Sequence, residues 1–275
     1  MSKHIEGTKN YWMQNLRWKD VELYLKSNDS VLIPIGQTEE HGPHLPMGAD
    51  TITAMGLAET VAERTNTLIA PPVWYGWAPR MLGYPGSFTL RATTLTDLIY
   101  DICVSLIHHG FSRIFIINGH RRENLPPLEI ACAKIRYETN AQTIIFDPLY
   151  LGVEGVLKLR DGNTNVLSHA AGIETAHMLY LVPELVNKEE LKKLSEGPSN
   201  FTETDQFSIV DRPVTYDTIS EFINLRGSEG VKGDVAWGTV ERGERYHDVI
   251  VDSIVKYIEK YKKIPTVITN KPPLV

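Results

Sequence analysis

Three acidic side chains and two imidazoles crowd one short stretch, Gly36-Gln-Thr-Glu39-Glu40-His41-Gly-Pro-His44-Leu-Pro-Met-Gly-Ala-Asp50. Carboxylate oxygens and imidazole nitrogens held at fixed spacing are what a divalent transition metal requires. Glu39 and His41 lie two residues apart, so in extended backbone their side chains point the same way. Pro43 and Pro46 stiffen the loop and lower the entropy cost of organising ligands. Asp50 falls at the expected start of a helix, where a carboxylate caps the helix or reaches a metal. Taken singly, Glu39 and Glu40 read as solvated charges, Asp50 as a cap and His44 as a turn residue. Their co-occurrence directly after an apolar run shifts the balance toward metal binding.

Two later clusters add to this one. His120 stands in Asn118-Gly-His-Arg-Arg-Glu123-Asn124, where Gly119 permits a sharp turn. Alone, a histidine there reads as a core or capping residue. Arg121 and Arg122 read as clamps for a substrate oxyanion or as ion-pair partners. The third cluster is Ser168-His169-Ala-Ala-Gly-Ile-Glu174-Thr-Ala-His177. A carboxylate in the first turn of a helix is favourable by dipole alone, which accounts for Glu174 without any ligand. His169 precedes that helix and is placed to act as a general acid/base near neutral pH.

The elements that carry these clusters alternate. Val31–Gly36 is a short apolar run that reads as a buried strand, and residues 50–64 read as a helix. A brief strand at 68–70 follows. Thr94, with Asp97 three residues on, predicts a helix start, and Gly110 its end. Arg113–Asn118 is the clearest strand; residues 128–138 read as a helix and 142–146 as another strand. Helices are expected at 173–181 and 244–262. Strand and helix alternating at this spacing predict an α/β fold, three layers with a doubly wound, mostly parallel sheet and helices on both faces. Such sheets bind ligands beyond the carboxyl ends of their strands, which is where both Glu39 and His120 fall. Residues 195–233 are rich in Gly, Pro, Ser, Thr and Asn and read as a surface excursion or lid.

Composition narrows the class. The chain has 275 residues, 42% of them hydrophobic and 23% charged, which excludes a disordered or fibrous protein. The net charge is −6, with no basic run, so nucleic acid is not an expected partner. The longest stretch without a charged side chain, residues 65–79, is 15 residues and contains three prolines. That is too short to span a membrane, which needs about 20 apolar residues. The first residues carry no apolar core of a secretion signal, so a cytoplasmic location is expected. Cys103 and Cys132 read as buried thiols.

At this point the sequence resembles the creatininase family. Gly36 to Asp50 fits that family's Glu-x-His-Gly-Pro-His-Leu-Pro…Asp signature. Tyr84-Pro-Gly-Ser87-Phe-Thr, Asn118-Gly-His120, His169-x-x-Gly-x-Glu174-Thr and Gly230-Val-Lys-Gly-Asp234…Thr239-Val-Glu-Arg-Gly243 follow in family order. The resemblance implies a single creatininase-like α/β domain over 1–275 and a cofactor of two divalent metal ions (Zn, Mn or Fe). It implies a small-molecule substrate and a homo-oligomer, with a hexamer among the assemblies it admits. Carried over by position, Glu39, His41, Asp50 and His120 are metal ligands, with Asp50 bridging both ions. The last carboxylate ligand is Glu174, whose block aligns without a gap; the alternative is Glu123, displaced by one residue from the family's position. His169 matches a residue beside the substrate and is the candidate catalytic group. Arg80, Ser87 and Arg121, with His169, are the candidate substrate-binding residues.

The implied activity is hydrolysis of a small cyclic amide at its C–N bond by water activated between two metals. The alternative is cleavage of a carbon–carbon bond in a cyclic polyol ketone, as in a 3-dehydro-scyllo-inosose hydrolase. The altered pocket residues Trp77, Arg80, Arg121, Arg122 and Asn165 include several polar donors, which suit a hydroxylated ring, and the family's creatinine-pocket tryptophans are not found around Asn165. A non-catalytic metal-binding protein on the same scaffold is the third reading.

Overall fold

The computed structural model describes residues 10–148, 150–197, 216–226 and 229–273. Helix α1 (Trp18–Leu25) precedes strand β1 (Ser30–Ile35), and α2 (Ala49–Thr65) leads to β2 (Leu68–Ile69). Helix α3 (Ala92–His109), β3 (Arg113–Asn118), α4 (Arg121–Thr139) and β4 (Gln142–Phe146) follow. The second half is helical: α5 (Val153–Leu159), α6 (Gly172–Leu181), α7 (Lys188–Glu196), α8 (Ile219–Arg226) and α9 (Val240–Lys262).

The four strands form one parallel sheet in the order β2-β1-β3-β4. Every residue of β1 and β3 is buried, as expected of parallel strands covered on both faces. Alternation sorts their side chains. Leu32, Phe115 and Ile117 point into a core built with α2, α6 and α9. Val31, Ile33, Ile35, Ile114 and Ile116 point the other way, against α3 and α4. Each such side chain contributes about 1.5–3 kcal/mol by leaving water. The expected doubly wound α/β architecture is therefore present.

From β1 the chain moves outward to β2, then returns to place β3 on the other side of β1. The winding direction reverses between β1 and β3, so the two connections leave on opposite faces and open a crevice beyond the strand ends. Ile35 pairs with Asn118 at that end. The loop after β1 and the turn after β3 thus start side by side.

Three helices start two or more residues earlier than the sequence predicts, α9 among them at Val240 with Thr239 as its N-cap rather than at residue 244. Helix α3 begins at Ala92 with Arg91 as its N-cap, not at Thr94. Helix α4 begins at Arg121 and carries Pro126 and Pro127 inside it, where the sequence places a boundary at Leu128. Gly110 ends α3 at φ 111°, as expected of a left-handed cap. Both cysteines are buried free thiols. Of the excursion at 195–233, residues 198–215 and 227–228 lie outside the described residues. Helix α8 falls within it and packs on the short 3-10 turn Pro79–Gly83. Among the described residues no helix is long and apolar enough to cross a membrane.

Candidate metal centre

The loop from β1 to α2 folds back on itself through a Glu39 N–H donated to Met47 O (3.0 Å), with Gly42 at φ 66°. This brings Glu39 and His41 over the strand end and delivers Asp50 in the first turn of α2. The turn after β3 presents His120 to the same point. Asp50 sits between the two imidazoles: its Oδ1 is 3.2 Å from His41 Nε2 and its Oδ2 is 3.1 Å from His120 Nδ1. Glu39 Oε1 lies 3.4 Å from His120 Nδ1, and Glu174, in the first turn of α6, places Oε2 3.7 Å from His41 Nε2.

The donors fall into two groups that share Asp50: Glu39, Asp50 and His120; and His41, Asp50 and Glu174. Within each group the ligand atoms lie within 4.8 Å of one another. A third combination joins Glu39, His41 and His169. Glu123 stands apart from these groups. Its Oε1 pairs with Arg80 Nε at 2.6 Å and its Oε2 faces His120 Nε2 at 3.4 Å.

Gly119 makes the convergence sterically feasible. A Cβ there would overlap the Asp50 carbonyl oxygen, so only glycine lets the β3 turn approach the start of α2 this closely. Gly119→Ala is expected to cost about 1–3 kcal/mol through overpacking and to weaken metal binding by displacing Asp50. Thermal unfolding and metal titration of the variant check both effects.

The donors themselves test whether a divalent cation fits. Glu39 Oε2 and His41 Nε2 are buried and have no hydrogen-bond partner among the described residues. His41 Nδ1 faces the Glu39 carbonyl at 3.2 Å, which fixes the ring and aims Nε2 inward. The field is strongly negative, because Glu39, Glu40, Asp50, Glu123 and Glu174 converge there. Burial opposes a charge on His41, yet Asp50, Glu174 and Glu39 outweigh it and hold the imidazole up at about 10. Burial pushes the Glu39 carboxyl up. For Asp50, burial raises the carboxyl, but the neighbouring His41 and His120 win and hold it well below the usual range. A cluster that draws in protons this strongly supplies the charge balance a dication needs, and the oxygen and nitrogen donors suit Zn, Mn or Fe.

His169 lies beside these groups. Its Nε2 meets Glu40 Oε1 at 2.9 Å, and its Nδ1 faces Glu39 Oε1 at 3.7 Å. The His41 ring packs on it at 4.7 Å and the Phe222 ring of α8 at 6.2 Å. Burial raises the Glu40 carboxyl, but His169 and the Gly42 N–H outweigh it and keep it ionised. His44, though in the same loop, is no part of the donor groups: its Nε2 meets Thr175 Oγ1 at 3.0 Å, and burial first, then His41 and His169, press it down to about 4.

The other candidate residues are engaged by protein groups. Ser87 Oγ accepts the Glu40 N–H at 3.0 Å. Arg80 spans Glu123 and Asp217 (3.3 Å) under the Phe222 ring. Arg121 pairs with Asp147 at 3.6 Å and stacks on Tyr150 at 4.0 Å. A cleft of about 260 Å³ adjoins the centre, bounded by Glu40, His41, Met47, Tyr84 and Glu229 among others. That volume is below the range typical of drug-sized ligands and suits a small molecule.

Comparison with known proteins gives the family and the fold. The family profile described as Creatininase: Creatinine amidohydrolase matches residues 14–258. The chain belongs to the creatininase family. It is accordingly a creatininase-family hydrolase. A Thermotoga maritima relative, named 3-dehydro-scyllo-inosose hydrolase, is 30% identical over 93% of this chain and 84% of its own length. The creatinine amidohydrolase of Pseudomonas putida is 27% identical over 74% of this chain and 83% of its own. A crystal structure of creatinine amidohydrolase superposes with a TM-score of 0.77 at 23% identity, over 94% of this chain and all of that one. Related creatininase structures are described as Zn-Zn type and as Mn.

Within this creatininase fold, sequence reasoning gave Glu40 no separate role and passed over Asp217 and Phe222. Glu40 carried a weak signal, its place beside Glu39 in a loop stiffened by proline. Asp217 and Phe222 carried none, because their contacts arise only once α8 packs on the Pro79–Gly83 turn.

Proposed function

We propose that this chain is a metal-dependent hydrolase that adds water to the carbonyl carbon of a small, cyclic amide and breaks its C–N bond. The observation that supports this is Asp50 held between His41 and His120, with Glu39 and Glu174 completing a group on either side. In this reading Glu39, Asp50 and His120 hold one ion, and His41, Asp50 and Glu174 hold the other. When bound, two such ions lower the pKa of a shared water and polarise the substrate carbonyl. His169 exchanges a proton with the leaving nitrogen at Nδ1, because Nε2 is committed to Glu40. Ser87 holds the Glu40 loop by accepting its N–H, and Arg80 holds Glu123 behind His120.

Assigning the last ligand to Glu174 rather than Glu123 follows from the Arg80 ion pair. A carboxylate that balances a buried guanidinium and backs an imidazole serves as an outer partner. Glu174→Gln is expected to lower metal stoichiometry and Glu123→Gln to leave it normal. Elemental analysis of the two purified variants checks this, and the reverse pattern reassigns the ligand.

The second reading, cleavage of a carbon–carbon bond in a cyclic polyol ketone, is favoured by the 30% identity to the Thermotoga maritima relative across 93% of this chain. Both reactions need the same activated water. Metal-loaded protein incubated with creatinine and, separately, with 3-dehydro-scyllo-inosose distinguishes them by mass spectrometry. Ring opening of the ketone alone supports the second reading. Turnover of neither compound, nor of other cyclic amides, overturns both.

A further inference from the structure

Beneath the centre, α2, α6 and α9 meet around a polar chain set in an otherwise apolar core. Thr53 Oγ1 is 3.2 Å from His177 Nδ1, His177 Nε2 is 3.1 Å from His247 Nδ1, and His247 Nε2 is 2.9 Å from Thr60 Oγ1. Thr60 in turn donates to Gly56 O at 3.4 Å. His177 is 1% exposed and His247 2%. The Tyr246 ring packs on His177 at 5.2 Å and the Tyr180 ring on His247 at 5.3 Å. Burial, with the neighbouring imidazole, holds His177 well below its ordinary value; burial also lowers His247, against the opposing Asp248.

Both rings are therefore neutral, and a neutral imidazole has one donor and one acceptor. The chain then closes with every partner satisfied. Thr53 O–H donates to His177 Nδ1, His177 Nε2–H to His247 Nδ1, His247 Nε2–H to Thr60 Oγ1, and Thr60 O–H to the Gly56 carbonyl. Nothing in this chain is spent on substrate or metal.

Its placement is what gives it consequence. Thr53 lies one turn beyond Asp50 on α2, and His177 one turn beyond Glu174 on α6. Those two carboxylates approach the same His41 Nε2 atom, at 3.2 and 3.7 Å. Apolar packing is non-directional and does not by itself pair one atom of a helix with one atom of its neighbour. Hydrogen bonds are directional and short-ranged. Functional groups need placement within about 0.5 Å.

We propose that His177 and His247 are positioning residues of the metal centre, locking α2 against α6 and so fixing Asp50 relative to Glu174. The inference rests on the metal reading of Asp50 and Glu174.

The test measures the Kd for Zn²⁺ by chelator competition, beside the thermal midpoint of the metal-free protein. His177→Gln breaks the chain at its centre. Thr53→Val is close to isosteric and removes only the end hydroxyl, so it decides the matter if His177→Gln does not fold. Each is expected to raise Kd about tenfold, within the range seen for residues that act on a site through packed elements without touching its ligands. Ile99→Val, in the core on the other face of the sheet, controls for general loss of stability and is expected to leave Kd unchanged. Unchanged Kd in Thr53→Val overturns the inference, as does an equal rise in Ile99→Val. Normal Zn²⁺ affinity in Asp50→Asn overturns the underlying metal reading instead.

Discussion

Asp50→Asn is expected to abolish hydrolysis and to weaken metal binding more than about 100-fold, because even outer-sphere partners cost 10–100-fold. The substitution keeps the shape of the side chain and removes the negative charge that both donor groups share. The substituted amide would still reach the two imidazoles with one oxygen and one nitrogen, but its nitrogen cannot accept from or ligate anything. The fold of the metal-free protein should survive. The two imidazoles hold Asp50 ionised in the folded chain, so losing its charge costs stability and the thermal midpoint without metal should fall. Elemental analysis and chelator competition check the first expectation, and calorimetry of the metal-free form the second. Full stoichiometry in Asp50→Asn would mean that Asp50 only caps α2.

His169→Ala is expected to separate chemistry from metal binding. The side chain lies 3.7 Å from Glu39 but is tied to Glu40, and two aromatic rings hold its plane. Loss of a positioned acid/base group lowers kcat by about 10²–10⁴-fold. Metal content should stay normal, since the donor groups that share Asp50 are untouched. A large fall in bound metal would instead place His169 in the Glu39–His41 donor group.

The sheet and its main crossovers were legible because their signals are local. Short apolar runs such as those within Val31–Gly36 and Arg113–Asn118 announce buried parallel strands without reference to anything distant. Gly110 marked the end of α3, whereas α2 and α4 end on Asn66 and Asn140 in the left-handed region, a residue choice that also suits ordinary turns. The early start of α4 was hidden by Pro126 and Pro127, which read as a helix boundary and here lie within the second turn. Helices α1, α5, α7 and α8 are short, and their identity depends on what they pack against. At the site, the residue types and their spacing were visible, and so was the meeting of the β1 and β3 loops. The roles of Arg80 and Glu40 were not, since a charged side chain shows its partner only in three dimensions.

The pairing of Ile35 with Asn118 has a consequence for how such a site can diverge. The carriers of Asp50 and His120 leave from neighbouring strands, whose spacing of about 4.8 Å is dictated by main-chain hydrogen bonding. The sheet thus acts as a ruler for the ions. Changes in the loops beyond the strand ends can remodel the walls without disturbing that ruler. Selection is left free to retune what the crevice admits while the reactive hardware keeps its dimensions.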